Sequence, residues 1–204
     1  IQAQVFDSYG NKIGPVLEVN TYKDLAQKRP QIIPLDNNNF FICWESWWQD
    51  GHYSGIYGQV FDLNGKKQDQ DIHVSTQTNG EQGFPKICKL ENGGFVVCWT
   101  SFKGDNGGIF GQVFDESGQK VGTEFAITDY DSVGPGLGSI TPLPDNEFVM
   151  CGVIRRRDGS DDGVFGIIID KQGCKKGDIF QINSFVEDDQ EKPVSALLDT
   201  DRFI

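Results

Sequence analysis

One five-residue motif recurs along the chain at a near-constant interval and restricts what the chain can fold into. GQVFD stands at 58–62 and 111–115, AQVFD at 3–7 and a worn GIIID at 166–170. The spacings between Gln4, Gln59, Gln112 and Ile167 are therefore 55, 53 and 55 residues. Repetition at that period marks propellers, solenoids and arrays, in which one supersecondary unit buries its apolar face against copies of itself. Residues 81–128, EQGFPKICKLENGGFVVCWTSFKGDNGGIFGQVFDESGQKVGTEFAIT, are the clearest copy.

Each copy contains four short strand candidates. The motif strand ends in an Asp-x-x-Gly turn at 7–10, 62–65, 115–118 and 170–173, with Asp opening the turn and Gly supplying a positive φ. A short alternating strand follows at 16–20, 72–75, 125–128 and 180–183, then a longer polar connection such as 76–84. The third strand ends in leucine, at 31–35, 86–90, 139–143 and 194–198. Five residues after that leucine come Phe40, Phe95, Phe148 and Phe203. The intervening DNNN, ENGG, PDNE and DTDR are tight-turn sequences. The fourth strand (FFICWES, FVVCWTS, FVMCGVI) is apolar on both faces, so each sheet is expected to lie between two others. No stretch sustains a helical period. Residues 16–29 come nearest, but Pro15 and Pro30 bracket them, and they read as strand plus loop.

Four such repeats, near 1–55, 56–108, 109–163 and 164–204, predict an all-β chain: a four-bladed β-propeller of four-stranded antiparallel sheets. The chain opens on strands one and two of the unit and closes on strands three and four, so the last blade is expected to form from both ends. Against closure, the final strand stops at Phe203–Ile204, about a dozen residues short of four periods. The alternative is a fragment of a longer β-repeat array. The absence of an initiator Met and of a signal-like stretch at Ile1 is read as marking a mature or excised piece.

The formal net charge of −12 argues against nucleic acid and anionic membrane as partners, since each would repel this surface. No apolar run approaches the length of a membrane-spanning helix. Of five cysteines, Cys43, Cys98 and Cys151 occupy one repeat position. Equivalent positions in stacked sheets lie about 10 Å apart, too far for a disulfide. These three, and Cys88, read as small buried hydrophobes, while Cys174, in a turn, is the expected exposed thiol.

The sequence of Gln-x-x-Pro (82–85), leucine, GGFVVCWTS, a Gly/Asp-rich loop, IFGQVFD and Phe-x-Ile-Thr resembles a repeat found in tandem in large secreted proteins of bacteria and ciliates, often beside calcium-binding or adhesive modules. The likeness covers nearly the whole chain. It weakens in the fourth copy at Ile167, and at Gly152, which replaces the tryptophan of Trp44 and Trp99. It implies an extracellular or cell-surface module without catalytic activity. Tandem repeats that present one surface several times over point to partners that are the chain itself or neighbouring repeats of a longer chain.

Repeated positions build scaffold, so function is expected where the copies differ, above all in the loop after the fourth strand. In the first copy Trp47, Trp48 and Tyr53 form an aromatic platform, with Asp50 and His52 to hydrogen-bond sugar hydroxyls. The alternative is that a tryptophan folds back over the sheet edge. In the third copy Asp158, Asp161 and Asp162 offer the all-oxygen ligands that suit Ca²⁺, against a solvated acidic loop. Asp129 with Asp131, and Glu187 with Asp188 and Asp189, are further acidic candidates. His52 and His73 fall in different repeats and no hydrolase or phosphate-loop spacing occurs. The reading is a non-enzymatic structural or adhesive repeat module that self-assembles into a fibre or coat; the alternative is a lectin-like glycan binder working through the 47–53 loop.

Overall fold

The computed structural model describes residues 1–103, 106–128, 132–133, 136–155, 162–200 and 202–204. The chain is all-β. Its strands are β1 (Gln2–Phe6), β2 (Lys12–Glu18), β3 (Gln27–Pro34), β4 (Asn39–Trp47), β5 (Ser54–Asp62), β6 (Ile72–His73), β7 (Glu81–Lys89), β8 (Phe95–Lys103), β9 (Asn106–Phe114), β10 (Lys120–Ala126), β11 (Ser132–Val133), β12 (Gly136–Leu143), β13 (Glu147–Arg155), β14 (Asp162–Ile169) and β15 (Phe180–Gln181). A 3-10 turn, Pro144–Asn146, joins β12 to β13.

Three repeats form antiparallel four-strand units in chain order: β3-β4-β5-β6, β7-β8-β9-β10 with β11 also on β9, and β12-β13-β14-β15. One parallel bridge, Ser54 to Glu81, joins the first two. The strands that are apolar on both faces, β4, β8 and β13, sit inside these units and are almost wholly buried. Phe41 packs on Phe95, centroids 4.6 Å apart, and Phe95 stacks on Phe114 at 4.9 Å, tying the first unit to the second. A second cluster, including Val96, Ile109, Met150 and Phe165, ties the second unit to the third. Each such side chain contributes about 1.5–3 kcal/mol by leaving water, so the stacking of sheets is the main source of stability.

The fourth copy differs. Among the described residues β1 pairs only with β2, and Ile1 and Ala3 pack on Trp44, Tyr57 and Phe61 of the first unit. Leu197 bridges to Phe203, and Phe203 packs on Leu143, Val149 and Cys151 of the third. Among the described residues no ladder links the two halves. The expected pairing of both chain ends in one sheet is thus not seen among the described residues; Ile204 and Arg202 bond to Ala196 and Leu198 within their own hairpin.

The turns form as their residues dictate. Asp7, Asp62, Asp115 and Asp170 each accept, through Oδ1, the backbone N–H groups two and four residues on. The glycines that close them sit at φ between 79° and 85°. At Asp7 the Asn11 side-chain amide leads several hydrogen bonds that hold the carboxyl below its ordinary pKa. The strand after this turn begins earlier than its apolar alternation suggests, at Lys12 in β2 and Lys120 in β10. So tight a turn pairs its flanking residues at once, polar or not, Phe6 with Lys12 and Phe114 with Lys120. All five cysteines are free, with Cys43, Cys88, Cys98 and Cys151 buried and Cys174 exposed.

Candidate functional site

Two strands, β3 and β7, begin with the same corner, which recurs ahead of the Leu197–Phe203 bridge, and the corner decides which side chains meet. Gln-x-x-Pro occurs at 27–30, 82–85 and 190–193. Proline cannot donate to the ladder, so the strand bulges there; register shifts fall between Lys28 and Gln31 and between Gly83 and Lys86. The glutamine holds the incoming loop. Gln27 Nε2 donates to Asp24 O and its Oε1 accepts from Asn20, and Gln190 repeats this with Glu187, Asp188 and Asn183. Gln82 Nε2 donates to Gly80 O. The residue before each proline has a left-handed backbone: Arg29 at φ 53°, Phe84 at 56° and Lys192 at 56°. In the third unit Leu137 takes that place, beside another register shift.

These corners converge. The Arg29 guanidinium lies 3.9 Å from the Phe84 ring centre, while Phe84, Leu137 and Lys192 line a single cleft of about 470 Å³. Lys86, Thr100, Phe102, Val153, Asp162 and Glu191 complete most of its wall. A second recess of about 500 Å³, lined by Tyr53, Gly80, Glu81 and Phe102, adjoins it at Phe102. Together they make a groove with aromatic rings (Tyr53, Phe84, Phe102), carboxylates (Glu81, Asp162, Glu191) and cations (Lys86, Lys192). Asp162 Oδ1 lies 3.3 Å from Arg155 Nε, and Glu191 lies 3.4 Å from Lys192 Nζ. The Thr100 hydroxyl is buried without a hydrogen-bond partner among the described residues.

Beneath the rim, Glu45 is a buried carboxylate fixed on both oxygens. Arg29 donates to Oε2 at 2.6 Å and Trp47 Nε1 to Oε1 at 2.7 Å. A Cβ at Gly83 would stand 2.7 Å from Glu45 Oε2, so only glycine admits the carboxylate so close to β7. This locks β3, β4 and β7 at the mouth of the groove.

The 47–53 loop splits. Trp48 and Tyr53 are about half exposed, with ring centres 6.0 Å apart and planes tilted by 44°. Trp47 is half-buried, bonded to Glu45 and capped by Lys28 Nζ at 5.0 Å. His52 is exposed, whereas Asp50 turns inward: Oδ1 accepts from His52 N, and Oδ2 lies 3.6 Å from His73 Nε2. Ser75 Oγ approaches that same nitrogen, at 3.4 Å. One nitrogen cannot serve as both base and anchor, so the trio lacks nucleophile-activating geometry. Of the predicted acidic sites, Asp158, Asp161, Asp129 and Asp131 lie outside the described residues. Asp162 faces the cleft and, among the described residues, no group of three potential ligands is placed to hold a metal ion. Phe84, Phe102, Lys86 and Thr100 were missed because they occupy repeat positions. The available signal was that those positions change chemistry from copy to copy.

Solved structures share this fold, three carbohydrate enzymes among them. An endo-arabinase from Bacteroides thetaiotaomicron matches with a TM-score of 0.51 at 10% identity, over 75% of this chain and 61% of its own. A thermostable family-43 glycoside hydrolase matches at 0.51 and 12%, over 95% and 73%. The α-L-arabinofuranosidase Arb93A from Fusarium graminearum, solved with an iminosugar inhibitor, matches at 0.53 and 12%, over 91% and 54%. The fold is one used by glycoside hydrolases. The chain spans about three fifths of the endo-arabinase it matches. No family model matches it, and no curated protein does. The likeness overturns the expectation of a structural or adhesive module without catalytic activity. That expectation rested on repeated positions, which carry packing and turns, whereas the same fold in these neighbours bears the names of enzymes.

Proposed function

We propose that the chain is a carbohydrate-active domain that takes a polysaccharide, of the arabinose-containing class, along the groove between Tyr53 and Lys192. The observation that carries this is the joining of aromatic rings and carboxylates in one groove, on a fold shared with an arabinase and an arabinofuranosidase. Aromatic rings present apolar faces to sugar C–H groups, and carboxylates accept hydroxyl hydrogen bonds. The same reading assigns glycosidic-bond cleavage to a pair among Glu81, Asp162 and Glu191. Hydrolysis takes two acids about 5–10 Å apart on either side of the bond. The Trp48–Tyr53 pair extends the binding surface at one end. Such a substrate is met outside the cell, in keeping with the secreted repeats the sequence resembles.

The reading also treats β1–β2 and the Leu197–Phe203 pair as halves of a fourth blade, supported by their packing on the first and third units. Cross-peaks between β1 amides and Phe203 in a nuclear Overhauser spectrum would support closure, and their absence would reject it.

Titration with arabinan oligosaccharides, alongside reducing-end release, tests the function. Phe84→Ala or Phe102→Ala should weaken binding about tenfold, the loss of one stacked ring. Two of Glu81→Gln, Asp162→Asn and Glu191→Gln should abolish turnover while retaining binding. Binding without turnover in the native chain would remove the hydrolytic step, and absence of both would reject the reading.

A further inference from the structure

We infer that the cleft beside the second unit is a subsite for an acidic sugar, a uronate residue within the polysaccharide. The inference rests on the proposed glycan-binding groove and adds the charge of one of its sugars. Three observations converge in the cleft. The acids on its wall are already matched, Asp162 by Arg155 and Glu191 by Lys192. Lys86, half-buried on the same wall, forms no ion pair among the described residues. Beside it the Thr100 hydroxyl is buried without a partner. A buried hydroxyl without a partner forfeits the hydrogen bonds it makes in water, and an unmatched ammonium in a walled cleft gains most from an anion.

A sugar carboxylate answers both groups, accepting from Lys86 Nζ while a ring hydroxyl or the second carboxylate oxygen meets Thr100 Oγ1. Phe84 and Phe102 line the same cleft and supply faces for the ring carbons. The equivalent places in the other units cannot do this. At the positions equivalent to Lys86 and Thr100 the first unit carries Gln31 and a carboxylate, Glu45, and the third carries Ser139 and Val153. Placing the anion in the second unit alone fixes one sugar of the chain, and with it the register of the glycan.

The test compares a neutral arabinan oligosaccharide with a uronate-bearing oligosaccharide of equal length, by calorimetric titration at low and at raised salt. The expected result is about tenfold tighter binding of the charged ligand, the scale of one charge-assisted hydrogen bond, with the preference falling as salt rises. Lys86→Gln should bring the charged ligand to the affinity of the neutral one, and Lys86→Arg should restore most of the preference. Thr100→Val, which keeps the side-chain shape, should lower uronate binding several-fold with the melting temperature unchanged. Equal affinity for both ligands, or a preference that survives Lys86→Gln, overturns the subsite and leaves the glycan-binding groove standing. Failure of both ligands to bind overturns the groove and the subsite together.

Discussion

At the scale of the residue, Glu45 makes the strictest electrostatic demand in the fold. It is buried with both oxygens committed, and one partner, Arg29, is partly exposed. Arg29→Ala leaves a buried carboxylate with the Trp47 N–H alone. The expected cost in urea unfolding is about 2 kcal/mol, below the range for fully buried pairs because Arg29 reaches solvent. Adding Glu45→Gln should recover part of it; if the double variant is no more stable than the single one, the carboxylate is not the source of the loss. His73 sets a pH dependence. Burial, the larger influence, and the Lys120 charge hold its pKa below the ordinary histidine value against Asp50 and Glu124. The unfolded chain therefore takes up this proton first. Stability is full above about pH 6.5 and falls as pH drops from there toward the folded value. His73→Gln should flatten that limb of a melting-temperature profile, and parallel profiles would show that other groups govern it.

At the scale of the element, the Asp-x-x-Gly turn is the best-determined piece of the molecule. Asp115 Oδ1 accepts from Ser117 N, Gln119 N and Ser117 Oγ. Asp115→Ala leaves those donors to water and should cost about 1–2 kcal/mol. Gly65→Ala should cost more. Its φ is 79°, and a Cβ there would stand 2.2 Å from a Leu17 methyl group, so the turn of the first unit would lift off β2. Thermal melts of both variants check the order, and equal melting temperatures would remove the packing part of the argument.

At the scale of the whole molecule, stacked sheets bury four of the five thiols. Burial pushes Cys43 and Cys88 up to about 12 and raises Cys98 and Cys151 as well. A thiol reagent at pH 8 should therefore label Cys174 alone in the native chain and all five cysteines after denaturation. Fast labelling of a second native thiol would mean that adjoining units part on the timescale of the reaction. The same stacking brings separate corners to one groove, so Phe84→Ala should affect ligand affinity more than stability, since that ring is 45% exposed.

Residues whose role is local were legible without coordinates. The 55-residue period, the four turns, the Leu-to-Phe hairpins and the buried strands FFICWES, FVVCWTS and FVMCGVI follow from spacing, turn chemistry and alternation. Three of the four buried cysteines, Cys43, Cys98 and Cys151, follow from their place in those strands. Trp48 and Tyr53 stand out in sequence because they share a short loop. What only the tertiary structure decided is which distant residues share a surface. Arg29, Phe84, Leu137 and Lys192 are about 55 residues apart; Gln-x-x-Pro marks three of them as corner residues, but that the corners adjoin depends on how the sheets stack. Asp50 reads as a surface acid, yet it turns inward, since His73 and the narrow space beside Gly55 lie on the neighbouring strands. Sequence periodicity encodes contacts within a repeat, where chain connectivity fixes the neighbours. Contacts between repeats depend on how whole sheets pack, and the groove is made of those.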